Sequence, residues 1–307
     1  MSVAPREENT ARGVLLMALA VLGFTCIDTS AKWLLGAGIP ALQVVWCRYA
    51  GHLVVALLVL APVEGRGVFR TANPGKQFLR SAFLMGSTML NFLALAYLPI
   101  TVTTTIMFAG PIAVTLLAIP ILGEKVGIHR IMAICVGFVG VLVVMQPWGA
   151  EFHPAMLLSL AALVCASGYF IMTRLLAGRE SNATSQIWGA ALPTLVLAPL
   201  VLPGWQGPDN LGVTFMLCLI GVFGSSSHIV ATTAHRLADA SILAPVVYIQ
   251  ILTAALAGIV VFSTWPTVWT LAGGAIIILA GLYIWHRERH LGRPTTTPNP
   301  KVPSSDK

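Results

Sequence analysis

Ten apolar runs of about twenty residues follow one another along the chain, at about 13–35, 42–63, 78–98, 100–123, 128–147, 154–177, 184–203, 211–235, 241–262 and 267–286. A bilayer core is ~30 Å thick, and about 20 residues of helix cross it. No water is available there to the backbone, so a single crossing segment must pair its own N–H and C=O groups, as a helix does. The pattern predicts an all-α membrane protein of ten transmembrane helices. Composition agrees. Hydrophobic residues make up 57% of the 307 and charged residues 9%, against about 25% charged in a soluble domain. That excludes an ordinary water-soluble enzyme. The net charge of +7 does not call for nucleic acid as a partner, because the basic residues sit in short loops between apolar runs and not on a polar face.

Helix-breaking residues punctuate the runs: Gly36-Ala37-Gly38-Ile39-Pro40, Leu98-Pro99, Gln146-Pro147-Trp148-Gly149 and Pro203-Gly204-Trp205. Loop charge sets the orientation. All of the 18 Lys and Arg except Lys32 and Arg48 fall on the side that carries both ends of the chain, while the opposite loops hold only Glu151 and Asp209. The positive-inside rule makes both termini cytoplasmic in an inner-membrane, multi-pass protein. Trp33, Trp46, Trp148, Trp205 and Trp265 fall near the outer boundary and Trp285 near the inner one, where interfacial tryptophans sit. The first run, with Arg6 and Arg12 ahead of it, is too long for the ~7–15 residue core of a signal peptide and is read as an uncleaved first helix. The tail from Leu291 is too polar and Pro-rich to build a core, and is expected to be disordered, as are the first ten residues or so.

The two halves resemble each other in order. Leu15-Leu16 matches Leu157-Leu158, Lys32 matches Arg174, Trp46 matches Trp188, Gly86-Ser87-Thr88 matches Ser225-Ser226-Ser227, Leu117-Ala118 matches Leu256-Ala257, and Gly140 matches Gly281. Five helices per half means that the second half enters the membrane upside down, and inverted repeats meeting near the midplane mark secondary transporters. The expected division is a cytoplasmic N-terminal segment 1–12, a first repeat 13–147, an external linker 148–153, a second repeat 154–289 and a cytoplasmic tail 290–307.

The run Ala94-Leu95-Ala96-Tyr97-Leu98-Pro99, the helix reaching Gly110-Pro111 and Leu122-Gly123-Glu124-Lys125 resemble the end of the first repeat in EamA-type members of the drug/metabolite transporter superfamily. Ala238-Asp239-Ala240-Ser241, Pro245, Tyr248, Gln250 and Gly274 to Gly281 continue the resemblance in the second half. It covers residues 12–289. One departure is that Glu124 has no acidic counterpart, since Ser263-Thr264-Trp265-Pro266 stands there. The resemblance implies a ten-helix fold of two inverted repeats around a central cavity, lined by spans 1, 3, 4, 6, 8 and 9. It also implies export of amino acids and other metabolites, or import of vitamins, cofactors or nucleotide derivatives.

Polar groups are costly in hydrocarbon, which makes them candidates for function. Near the midplane lie Thr25, Thr88, Asn91, Ser167, Tyr169, Ser225 to His228 (Ser226 among them), Tyr248 and Gln250. Together they would suit a zwitterionic or aromatic solute. The competing reading is structural, because Ser and Thr in membrane helices often bond their own backbone or join helices. Asn91 and Gln250 are harder to account for that way, since an amide has four hydrogen-bonding positions to fill. Pro111 should kink its helix and free the carbonyl of Met107. Asp28 and Arg48 lie at matched depth, roughly 10 Å from the outer ends of neighbouring helices at ~1.5 Å per residue. Lys32 is one turn beyond Asp28. An ion pair of Asp28 with Arg48 or Lys32 is expected, either structural or serving an outer gate. Small-residue stretches at Gly137 to Gly140, Ala254 to Gly258 and Gly274 to Gly281 should let helices approach closely.

Catalysis finds no support, because HExxH, a Gly-rich phosphate loop and an acidic metal cluster are all missing. Ser227 and His228 are adjacent, so they do not face each other on a helix. No cofactor or metal is expected, and Cys26, Cys47, Cys135, Cys165 and Cys218 have no ligand spacing. A channel would need rings of charge or carbonyls. The sequence therefore favours a secondary transporter of small organic metabolites, an amino-acid exporter including aromatic ones before an importer of a riboflavin- or nucleoside-like solute. It would work as a monomer in the bilayer. Asp28, His52 and His228 are the groups that could take part in proton coupling. With Asp28 neutralised by a basic partner, no fixed charge is expected to remain for an ionic solute.

Overall fold

The computed structural model describes residues 10–122, 127–149, 152–176, 178–238 and 240–290. Glu124, Lys125, Glu151, Asp239, the first nine residues and the tail from Leu291 lie outside them, so the expectations made for those positions are not addressed by the fold. Helices follow in the order α1 (Thr10–Gly36), α2 (Ala41–Glu64), α3 (Pro74–Tyr97), α4 (Ile100–Met107), α5 (Gly110–Leu122), α6 (Ile128–Met145), α7 (Ala155–Leu176), α8 (Asn182–Val201), α9 (Leu211–Leu237), α10 (Ala240–Val247), α11 (Ile249–Phe262) and α12 (Val268–His290). Among the described residues nine stretches are long and apolar enough to cross a membrane, and a shorter apolar helix covers Ile131–Met145. This is a multi-span, all-α membrane protein.

Helix ends follow local chemistry. Ser181 Oγ accepts from Thr184 N at 3.0 Å and Asn210 Oδ1 from Val213 N at 2.9 Å, each capping the first turn of the helix that follows. Gly38, at φ 86°, turns the chain between α1 and α2, where a side chain would be strained. Pro40 and Pro99 stand just before α2 and α4, where a missing N–H costs nothing.

The fourth and ninth spans are broken. At Phe108 the N–H is shared between the carbonyls of Thr104 and Thr105, and Ala109 N reaches Ile106 O, so the turn tightens and stops. Pro111 brings no N–H to the carbonyl of Met107. The ninth span breaks at Tyr248, three residues after Pro245. The same element is therefore interrupted in both halves.

Helix pairing repeats in the same way. α1 packs on α9 and α3 on α7; α2 packs on α9 and α3 on α8; α4 and α5 pack on α7, and α10 and α11 on α1. Exchanging each span for its counterpart five spans away converts each of these pairs into its partner. The pairs α2–α8, α6–α12 and α4–α11 map onto themselves. The two halves thus bind each other through reciprocal contacts. Backbones nearly touch where α2 crosses α9: a Cβ at Gly51 would sit 2.8 Å from Gly221 Cα. The crossing of α6 and α12 is as tight, with a Cβ at Gly140 falling 2.9 Å from Gly273 O.

Arg80 departs from the sequence reading. Basic residues are expected in the short loops between runs, but α3 begins early enough to carry Arg80 inside the bundle, where it is 4% exposed.

Candidate functional site

Two buried polar networks occupy the interior. One is built on Arg80. Its Nε donates to Thr173 Oγ1 (2.9 Å), Nη1 to Ser185 O (2.8 Å) and Nη2 to Tyr169 Oη (3.0 Å), with the guanidinium 4.7 Å over the Tyr169 ring. Gln77 Nε2 donates to Ser185 Oγ, and Ser81 Oγ donates to Gln77 O or Trp188 O. These bonds join α3, α7 and α8 near the end of the bundle that carries both termini. Tyr169, a candidate solute ligand by sequence, has its hydroxyl committed here.

The second network lies between α1, α2, α3 and α9. Asn91 Nδ2 donates to Asp28 Oδ1 at 3.1 Å, and Asn91 Oδ1 has no partner. Arg48 is 5% exposed, and neither Nε nor Nη1 meets an acceptor. One turn along α2, His52 is 2% exposed with both ring nitrogens unpartnered. Its ring stacks on His228 of α9 (5.7 Å between centroids, 26° between planes), and Phe24 of α1 meets His228 edge-on at 5.2 Å. Arg48 acts through space on Asp28 and on both histidines. Gly224 of α9 lies against it, where a Cβ would be in ordinary contact at 3.6 Å from Arg48 Cγ. The arginine also stacks 4.7 Å over the ring of Tyr49, whose hydroxyl meets Leu84 O (2.9 Å) and Thr88 Oγ1 (2.8 Å).

Asp28, Lys32 and Arg48 form no ion pair among the described residues. Lys32 Nζ instead donates to the carbonyls of Leu95 (3.0 Å) and Leu98 (2.7 Å), closing the last turn of α3, and lies 5.6 Å from the Phe262 ring. Last-turn carbonyls have no intrahelical donor, and a lysine supplies one. The expectation that no fixed charge remains is therefore corrected at Arg48.

The other sequence candidates divide by partner. Thr25 Oγ1 meets Thr253 Oγ1 at 2.6 Å, joining α1 to α11. Ser167 donates to Leu163 O (2.8 Å) and Ser226 to Val222 O (2.7 Å), so each is held by its own helix. Tyr248 stands at the break of the ninth span, 5.4 Å from the Phe108 ring at the break of the fourth. Gln250 is half-buried in the first turn of α11, and its carbonyl accepts from Thr253 Oγ1. His52 was noted in the sequence only as a titratable group; its place one turn from Arg48 on the same helix was the available signal. A separate cleft of about 250 Å³, lined by Trp46, Cys47, Trp205 and Cys218 among others, carries no charged residue.

Residues 11–146 match the EamA-like transporter family. Over 289 residues, 94% of this chain and 97% of the relative, the sequence is 30% identical to the riboflavin transporter of Vibrio cholerae. The chain belongs to the EamA-like transporter family. Other relatives include the S-adenosylmethionine uptake transporter of Rickettsia prowazekii, 27% identical over 90% of this chain and 93% of that one. The pseudopaline exporter of Pseudomonas aeruginosa is 28% identical over 87% and 94%. A crystal structure shares the fold at TM-score 0.57 and 18% identity, covering 89% of this chain and 98% of its own. Membership of this family makes the chain a small-metabolite transporter.

Proposed function

We propose that this EamA-like protein is a secondary transporter of the bacterial inner membrane, not an enzyme, with both termini in the cytoplasm and one copy as the working unit. Its solute would bind between the two repeats, among Asp28, Asn91, Arg48, His52 and His228. The observation that carries this is the run of unpartnered polar atoms on Arg48, His52 and Asn91 in the middle of the bundle. Buried polar groups are normally satisfied, and groups left open at a junction of inverted repeats are available to a ligand. An amino acid, aromatic ones included, suits the site: Asp28 for an ammonium, Arg48 for a carboxylate, Phe24 and the two histidines for a ring.

A second cargo has its own support. The relatives named riboflavin transporters, in Vibrio cholerae and Brucella anthropi, make a flavin the alternative, and stacked rings suit its planar nucleus. Direction is left to the solute gradient, since relatives carry names of both uptake and export. Counterflow in proteoliposomes tests the proposal. Saturable exchange of L-phenylalanine or S-adenosylmethionine supports the amino-acid reading, and exchange of riboflavin alone replaces it with the flavin. Folded protein that exchanges none of them contradicts the proposal.

A further inference from the structure

We propose that Arg48 is the carboxylate anchor of the transported solute, so that the cargo class is an amino-acid-type zwitterion and not a neutral flavin. This deepens the transport proposal and depends on it. Arg48 is the charged group in the central network whose donors are left open: it is 5% exposed, and Nε and Nη1 have no acceptor. A buried guanidinium with two of its three nitrogens unpaired is expensive to maintain, and a planar fork of N–H donors matches a carboxylate better than any other side chain does. His52, one turn along α2, has neither ring nitrogen within strict hydrogen-bond geometry of a partner, with Gln186 of α8 its nearby amide, and stands as a second donor.

The groups around Arg48 restrict what can bind. Asp28, half-buried, faces it from α1 but is held by Asn91 and makes no ion pair with it. His228 faces it from α9, Tyr49 lies under it on α2, and Arg80 on α3 is near enough to act on both histidines. With Asp28 held by Asn91, Arg48 has no ion-pair partner among the described residues, and a solute carboxylate supplies one. Asp28 and the open Oδ1 of Asn91 sit where a solute ammonium would be received, and their acidic side opposes a doubly charged phosphate. A zwitterion therefore fits both ends, while a neutral flavin leaves the arginine unmet.

The test uses full-length protein and solute pairs that differ in the carboxylate alone: L-phenylalanine with phenethylamine, and S-adenosylmethionine with its decarboxylated form, alongside riboflavin. Binding is read by scintillation proximity in detergent and flux by counterflow in proteoliposomes, each on protein shown to be monodisperse. Wild type should prefer the carboxylate member of at least one pair by about tenfold or more. Arg48→Gln should abolish that preference. Arg48→Lys, which keeps the charge but loses the fork, should retain part of it. Arg48→Gln retaining the wild-type preference, or wild type indifferent to the carboxylate, overturns the anchor. Wild type exchanging only riboflavin overturns the anchor and leaves the transport proposal standing. Carboxylate-selective binding without flux supports the anchor and contradicts transport. No binding and no flux of any probe overturns both.

Discussion

Arg80 and Arg48 are equally buried, at 4% and 5% exposed, yet they are held in opposite ways. Arg80 spends all three of its guanidinium nitrogens on Thr173, Ser185 and Tyr169, and so ties three helices together. Arg48 leaves two nitrogens open beside a histidine that is also open. Burial removes a charge from water at the same cost in both places, so the difference lies in compensation. A compensated arginine acts as structural glue; an uncompensated one is kept for something that arrives. The two also differ in position: Arg80 sits toward the end of the bundle that carries both termini, and Arg48 sits between the two repeats.

Breaking the compensated arginine should have the largest effect. Arg80→Gln removes three charge-assisted hydrogen bonds from α3 to α7 and α8 and should cost about 2–3 kcal/mol, seen as a lower melting temperature in detergent. An unchanged melting temperature would erase the contrast between the two sites. Arg48→Gln should do the reverse: stability within about 1 kcal/mol of wild type, because an unpaired buried charge is removed, and carboxylate affinity lower by about tenfold. Asp28→Asn should likewise preserve folding, since an amide can still pair with Asn91, while affinity for the ammonium end of a zwitterion falls several-fold in the same binding assay. Tyr169→Phe sharpens the comparison from the other side. It deletes one acceptor of Arg80, so it should lower stability by about 1 kcal/mol and leave transport per folded molecule intact. A transport defect without loss of stability would move Tyr169 into the solute site.

The smallest effect belongs to Glu180, in the loop before α8. Burial pushes its carboxyl up, but hydrogen bonds from Thr71 and Asn73 outweigh this and hold it below its ordinary value of 4.5. Its contribution to holding the α7–α8 loop against the start of α3 is therefore present above that value and is lost as pH falls through the depressed one. Hydrogen exchange at Asn73, whose N–H donates to Glu180 Oε1 at 3.0 Å, should speed up on acidification in wild type and be pH-flat, beyond the intrinsic rate, in Glu180→Gln.

Most of the fold was legible because hydropathy alone fixes which segments cross. The number and order of spans, the punctuation at Pro40 and Pro99, and the kink heralded by Pro111 follow from backbone chemistry that every membrane helix shares. The break at Tyr248 was less visible, because it comes three residues after Pro245 and depends on how the preceding turn closes. The site was legible in composition but not in pairing. Matched depth suggested that Asp28 meets Arg48 or Lys32. Depth says nothing about azimuth, however, and Lys32 turns to the end of α3 while Asn91 takes Asp28. Hydroxyls such as Ser226 could equally have faced a ligand or their own helix, and a serine carries no pattern that distinguishes the two. Arg80 was misassigned because a long side chain near a helix end reads the same whether it reaches outward to water or inward to a tyrosine.

The central claim is that the network around the half-open Arg48 receives the solute and the network around the fully paired Arg80 does not. Solute-induced thermal stabilisation of wild type, Arg48→Gln and Tyr169→Phe tests this most directly, using L-phenylalanine or S-adenosylmethionine, whichever exchanges in proteoliposomes. Binding to the native state alone raises the melting temperature. The account predicts that wild type and Tyr169→Phe are stabilised alike and that Arg48→Gln is not. Equal stabilisation of Arg48→Gln and wild type, or its loss in Tyr169→Phe alone, would contradict it.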